Sequence, residues 1–500
     1  MKEKIRVDSL DRVIQVVEEA AKERGLAYIL RLQDKKETVV KVNNGKTESI
    51  ATSFLKGLGV QVFTPSGYTG FASTDVVEPG SAERSVKLAG KLAQKVQEEK
   101  GEYNRAIFNI PPTHERSIIR LNHPYDSMSL DEIEKKLKKL NSELVQIDPR
   151  LSVRTVFVVV DEEWRITRHD GTDCSFTTPR SFLYNIFTAK EDGKTTTTYS
   201  NLPGSDLSLL CEPEPERKIK KRSMIAANLA LELLTAGPIK SGSYKMVIDY
   251  SLAKGLAHEA FGHAAETDGM ESSILGENGR MCLGKKVAAE SVSIIDGPIE
   301  GDYAYQPISA NGIKRETVYI VKDGILTAGL ADLFSAEGAG VPLTGAGRIE
   351  SCHHLPLARM SNIRIQTKNV IPVEQEFEDL TPAGLYRILL SAGLVKDNEE
   401  IIYLVGFQGG QVNPAFGHFV FNCSGIYRLG PDPLLYQPAI FAGNILSALK
   451  SIRAVIGGLK IDVMGTCGKM AQAVPSSGGS HYFLVLDHNP EITIGGETNE

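Results

Sequence analysis

Apolar residues recur at helical spacing near the start of the chain, with Leu10, Val13, Ile14, Val17 and Ala21 on one face. Ser9 stands before them and Gly25 after them, which predicts a capped helix over Leu10–Arg24. Alternation takes over at Ala27–Leu32, Thr38–Val42 and Glu48–Leu55, with Asn43-Asn44-Gly45 as a hairpin turn between the last two. Gly59–Phe63 continues as strand, and a helix from roughly Ser81 to Glu99 closes this first unit. Ser129 followed by Glu132 is a capping box that opens a charged helix reaching about Leu144. Val153–Val160 is a β-branched strand, and further strand-like pieces stand at Trp164–Arg168, Ser175–Thr178 and Thr195–Tyr199.

The pattern changes after Cys211–Glu216, an acidic, proline-rich stretch that reads as a linker. Lys218–Thr235 reads as helix, Lys245–Tyr250 as a buried strand, and Ser251 as the cap of a helix that follows. From Gly284 onward short strands alternate with Gly- and Pro-rich turns, interrupted by a helix over Gly443–Arg453. The expected fold is α+β in three parts: an α+β module at 1–108, a second at 109–215, and a large, mainly antiparallel β portion at 216–500.

Composition narrows the function classes. A hydrophobic fraction of 42% and a charged fraction of 24% describe an ordinary globular chain. The net charge of −6 and the lack of a long basic run argue against nucleic acid as a partner. No window approaches the ~20 apolar residues of a membrane span, and Met1–Asp8 lacks the apolar run of a signal peptide. The six cysteines are scattered without a CxxC pair, which suits a reducing cytoplasm.

The chemistry concentrates at Lys254–Glu266, where His258-Glu259 is followed by His263 on a segment of helical pattern. Zinc binds neutral imidazoles, and a Glu beside the first ligand is where metalloproteases keep their general base. The spacing is one residue longer than the common zincin spacing. On a regular helix, positions i and i+5 are about 140° apart, too far for two ligands of one ion. Either the motif holds no metal, or the helix is locally widened. One π-type turn brings His258 and His263 onto one face, and Gly262 lets the backbone deform at low steric cost.

At this point the sequence resembles the TldD/PmbA (TldD/TldE) metalloprotease family. His258-Glu259-Ala-Phe-Gly-His263-Ala-Ala-Glu266 matches its His-Glu-x-x-x-His-x-x-Glu signature. Also similar are Gly70–Thr74, Gly345–Arg348, His354–Pro356, Arg359–Asn362, Gly409–Val412 with Gly417 and Phe419, Gly465–Val474, and Thr493–Gly496. The resemblance implies zinc held by His258, His263 and the distant Cys467, with peptides cut in a cleft. It also implies a dimer, either of this chain with itself or with a TldE/PmbA-like paralogue that lacks the His-Glu motif.

Met470-Ala471 departs from the family resembled, which usually has Gly at the second position, and Arg168–Gly171 replaces the usual Asn-Ser-x-Gly. The function expected is a zinc peptidase on peptides or unfolded polypeptides, with Glu259 as base. Two alternatives stand beside it: a non-catalytic peptide-binding or modulator subunit, and a zinc hydrolase of a non-peptide amide. Glu266 reads either as a partner of a ligand imidazole or as a solvated carboxylate, and Lys469 as a charge favouring the Cys467 thiolate. Cys352-His353-His354 looks like a ligand cluster, but neighbours on a strand point to opposite faces.

Overall fold

Long strands dominate the first two hundred residues because alternating apolar positions bury one sheet face against helices. The computed structural model describes residues 5–100, 109–397 and 399–495. Met1–Lys4 and Gly496 therefore lie outside the described residues.

Helix α1 (Asp11–Lys22) and helix α2 (Pro79–Lys100) lie on a sheet whose first strands are β1 (Ala27–Asn43), β2 (Lys46–Phe63) and β3 (Thr69–Thr74). The N-cap position of α1 is Leu10 rather than Ser9, because a 3-10 turn at Arg6–Leu10 leads into the helix and Ser9 Oγ donates to Arg6 O. The expected hairpin turn is present, with Asn44 and Gly45 both at positive φ, the geometry that a tight two-residue turn needs.

The sheet continues without a break into the central segment. It runs β3-β2-β1-β5-β6-β4, with β4 at Arg116–Ser117, β5 at Leu151–Arg168 and β6 at Asp173–Thr177. Strand β7 (Arg180–Glu191) pairs with the first part of β5, and β8 (Lys194–Gly204) pairs with β7. Helix α3 (Leu130–Val145) opens on the Ser129–Glu132 capping box that the sequence predicts.

A short helix α4 (Ser208–Cys211) leads into α5 (Pro213–Glu232), so the proline-rich stretch is a helix start and not a linker. Pro213 occupies the first helical position, where its missing N–H is no loss, and Glu214 and Glu216 favour the positive end of the helix dipole.

Strand β9 (Met246–Asp249) then enters a twelve-stranded sheet. It lies between Gln472–Leu486, antiparallel to it, and Ile402–Val405, parallel to it. A four-stranded sheet of Gly410–Asn413, His418–Asn422, Ile440–Asn444 and Ile492–Ile494 packs into the same core. The helix expected over Gly443–Arg453 is shorter, Ile445–Lys450, because Asn444 caps it while residues before it are strand. The fold is α+β with a large sheet-rich C-terminal portion. Among the described residues no helix is long and apolar enough to cross a membrane.

The first sheet is fastened to the C-terminal portion by buried arginines. Arg31 on β1 donates to Ala310 O at 2.6 Å and Asn311 Oδ1 at 3.0 Å, and Arg168 donates to Asn311 O at 2.9 Å. Arg168 also pairs with Asp170, so the stretch that departs from the family pattern serves this junction.

Candidate metal centre

The segment after β9 is built to be buried. Helix α6 (Tyr250–Gly255) is capped by Asp249, not Ser251: its carboxylate accepts from the backbone N–H groups of Ser251, Leu252 and Gly406. Leu252, Ala253, Leu256, Ala257, Ala260, Phe261 and Ala264 are all fully buried, so this helix runs through the core rather than along its surface.

From Leu256 to Gly262 the helix is of the π type, and His263 N donates to His258 O, five residues back. The extra residue in the ring turns His258 and His263 to one side, as the spacing requires for a shared ion. Their ring centroids are 5.3 Å apart and perpendicular. Gly262 has ordinary helical φ (−59°), so it is needed for space and not for conformational freedom. A Cβ there would overlap Met360 Sδ and lie 3.0 Å from Ile363 Cδ1.

Cys467 reaches this helix from the other end of the chain. It sits on the strand Gly465–Lys469, which folds back as a hairpin on Gln472–Leu486, the strand next to β9. Its Sγ is 3.5 Å from His263 Nε2. His258, His263 and Cys467 offer ligand atoms that all lie within 4.8 Å of one another.

His258 is 1% exposed, and neither ring nitrogen has a hydrogen-bond partner among the described residues. Buried imidazole nitrogens are rarely left so, which fits a position that expects a cation. Burial pushes the His258 pKa well below the usual histidine value, and the charges of Lys254, His263, Arg359 and Arg348 add to that. The ring is therefore neutral, the form that ligates.

For His263 burial also pulls the pKa down, but Glu266 and Cys467 outweigh it and raise it to about 10. For Cys467 burial pushes the thiol up, and His263 and Arg359 bring it below the ordinary value. The mutual attraction of this thiol and imidazole marks a site that a divalent cation also favours.

Glu259 borders both histidines, with carboxylate oxygens 4.0 Å from His258 Nε2 and 3.8 Å from His263 Nε2, and its side chain is 23% exposed. Glu266 is 2% exposed and meets His263 Nδ1 at 3.1 Å and Lys469 Nζ at 2.8 Å, so it is a partner of the imidazole and not a solvated carboxylate. Lys469 does not serve the thiolate as expected; it is spent on Glu266 and, at 2.6 Å, on Asp268. Two other cations stand beside Cys467: Arg359, whose Nη2 donates to the Cys467 carbonyl, and Lys254. Sequence reasoning missed both, although Lys254 was visible as a charge one turn before His258 in an apolar run.

The other sequence candidates lie apart. His353 Nε2 meets Asp75 Oδ1 at 2.9 Å and Cys352 Sγ at 3.8 Å, while His354 Nδ1 meets Ser351 Oγ at 3.0 Å. Burial pushes the Cys352 thiol up to about 12, which suits a packed thiol against the first sheet.

Residues 241–480 match the model of the PmbA/TldA metallopeptidase C-terminal domain, and residues 28–93 match the model of PmbA/TldA metallopeptidase domain 1. A metalloprotease of Methanocaldococcus jannaschii is 28% identical over 467 residues, covering 90% of this chain and 94% of that protein. A zinc metalloprotease TldD homologue of Saccharolobus solfataricus is 25% identical over 285 residues, 55% of this chain and 57% of that protein. The crystal structure of TldE from Thermococcus kodakarensis superposes with a TM-score of 0.74 at 14% identity, covering 97% of this chain and 100% of that one, which speaks to the fold alone. The chain belongs to the TldD/PmbA metallopeptidase family.

Proposed function

We propose that this chain is a zinc-dependent peptidase acting on peptides or unfolded polypeptides. One observation carries the reading: a fully buried, neutral His258 with both ring nitrogens unpartnered, beside His263 Nε2 and Cys467 Sγ. Two imidazoles and a thiolate are the donor set of an open catalytic zinc site, with one position left for water. A zinc ion held by these three residues supplies Lewis acidity, lowering the pKa of water towards ~7 and polarising the scissile carbonyl.

The remaining work falls to the chain's own side chains. Glu259 faces both ligand rings and solvent, so its carboxylate takes the proton of the attacking water and returns it to the leaving amine nitrogen. Glu266 holds His263 by Nδ1, which keeps Nε2 turned towards the space that His258 and Cys467 also face. Lys469 neutralises Glu266 and so keeps that carboxylate buried in place. Pairing with a second copy, or with a TldE/PmbA-like paralogue, belongs to the same proposal.

The experiment is elemental analysis and peptide cleavage on wild type, Cys467→Ala and Glu259→Gln. One zinc per chain in wild type and Glu259→Gln, its loss from Cys467→Ala, and cleavage in wild type alone are the expected results. Zinc retained without Cys467 would remove the thiolate from the ligand set. A zinc-loaded wild type that cleaves nothing, alone or mixed with a paralogue, would turn the reading towards a binding subunit.

A further inference from the structure

Lys254 is a buried charge in this centre that takes no part in holding the candidate ligands. It lies on α6 four residues before His258, and positions so spaced share a helix face, about 40° apart. The residue is 4% exposed, yet it forms no ion pair among the described residues. The one hydrogen bond on its ammonium goes to a neutral group, Ser476 Oγ, at 3.3 Å. An ammonium has three donor hydrogens, so two remain for something else.

Its position is set from both sides of the centre. The stem leaves the helix that carries both histidines, and Nζ ends against the strand that carries Cys467. A Cβ at Gly465, two residues before Cys467, would lie 3.3 Å from Nζ, so glycine there leaves room for the ammonium. Burial pulls the lysine below its ordinary pKa, while Glu259 and Cys467 are the anionic groups that oppose the fall. A buried cation without a paired anion is costly, and such groups persist where charge develops in a reaction.

The neighbouring cations reach other groups. Lys469 is bonded to Glu266 and Asp268, and Arg348 donates to Gln306 and to the backbone carbonyls of Met360 and Pro475; Arg359 donates from Nη2 to the Cys467 carbonyl, while its Nε and Nη1 have no hydrogen-bond partner among the described residues. Lys254 is the one of these cations that shares the helix face of His258, with Glu259 as well as Cys467 among the charges it meets.

We propose that Lys254 is the oxyanion-stabilising residue of the hydrolysis, a proposal that rests on the peptidase reading above. When the water oxygen bonds to the carbonyl carbon, the C=O π pair moves onto the carbonyl oxygen and the water proton passes to Glu259. The free N–H groups of Lys254 donate to that negative oxygen. As the C–N bond breaks, the pair returns to re-form C=O and Glu259 gives the proton to the amine nitrogen. Lys254 gains and loses no proton in the cycle. Donors placed where charge develops act most strongly in the tetrahedral state, so Lys254 contributes to kcat more than to KM.

The test compares zinc-loaded wild type with Lys254→Met and Lys254→Arg. Its readouts are zinc content, thermal melting, kcat and KM on a peptide mixture, and calorimetric affinity for a phosphinic pseudotripeptide, a tetrahedral anion. Removal of one oxyanion donor typically costs about 100- to 1000-fold in kcat. The expected result for Lys254→Met is a loss of that order in kcat and in phosphinate affinity, with zinc content and KM little changed and partial recovery in Lys254→Arg. Equal phosphinate affinity in wild type and Lys254→Met would overturn the proposal, as would loss of zinc in step with activity. If Lys254→Met does not fold, Lys254→Gln carries the same comparison. A wild type that cleaves nothing, but binds the phosphinate in a Lys254-dependent way, would sink the peptidase reading and leave the anion site standing.

Discussion

Glu266 Oε2 lies 3.1 Å from His263 Nδ1, so one ring of the centre is gripped from behind by a buried carboxylate while its Nε2 faces Cys467 Sγ at 3.5 Å. Carboxylate partners of ligand imidazoles typically contribute 10- to 100-fold in metal affinity. Glu266→Ala is therefore expected to weaken zinc binding by about that factor, measured by competition with a chromophoric chelator. Glu266→Gln, which can still accept from Nδ1, should lose less. Equal affinity in all three proteins would remove Glu266 from the zinc centre.

The π turn depends on close packing at Gly262. A Cβ there would overlap Met360 Sδ, and Met360 is itself fully buried. Gly262→Ala should lower stability by about 1–3 kcal/mol, the usual cost of overpacking a core. Met360→Ala in the same chain should relieve part of that loss, since residues in contact couple. Urea unfolding of the four proteins gives the coupling directly, and strict additivity would show that the contact is not what makes Gly262 necessary.

Cys352 and Cys467 should separate cleanly. Cys352 Sγ packs under the first sheet and its thiol is held up at about 12, so Cys352→Ala should leave the zinc content unchanged. Cys467→Ala should abolish it. Loss of zinc on replacing Cys352 would put the ligand set in the wrong place.

A buried charge network joins α5 to the C-terminal sheet and makes stability depend on acid. Burial pushes the Glu378 carboxyl up, but Lys460 and Arg222 outweigh it and hold it at about 2. Its ordinary value is 4.5, so the folded state favours the charged form. The contribution is present above pH ~4.5 and is lost as pH falls through about 2, an effect on the order of 2–3 kcal/mol. In the presence of a chelator, Glu378→Gln should be less stable than wild type at pH 7. The difference should shrink as the solution is taken from pH 5 to 3. A difference that stays constant would mean that Glu378 does not titrate between the two states.

The hairpin that carries Cys467 is strained at its turn. Met470 and Ala471 have φ of 46° and 59°, in the left-handed region that residues with a Cβ avoid. Glycine adopts that conformation without the Cβ clash, so Ala471→Gly should stabilise the hairpin by roughly 1 kcal/mol, read as a shift of the urea midpoint. No shift would mean that the strain is offset by the lower entropy of alanine in the unfolded chain.

Local patterns fixed more than the elements themselves. The spacing of His258 and His263 required a widened helix if they were to share an ion, and the chain forms a π turn there. The Asn44-Gly45 hairpin and the Ser129–Glu132 box were equally legible, because each is settled by backbone geometry within a few residues. Where two local signals compete, sequence reading slipped: Pro213 and Pro215 look like a linker, yet at the first turn of a helix they cost nothing.

What only the tertiary structure decided is which distant groups meet those histidines. Cys467 stands 204 residues from His263 and reaches it because its hairpin is registered on the strand beside β9, from which the histidine helix leaves. Family resemblance could name Cys467, but the pattern of the chain could not. The same register turned Lys469 towards Glu266 and left Lys254 and Arg359 beside the cysteine, against the expectation from sequence proximity. Side-chain charge is a property of each residue, but the partner it finds depends on sheet pairing over hundreds of residues, which no short window of the sequence contains.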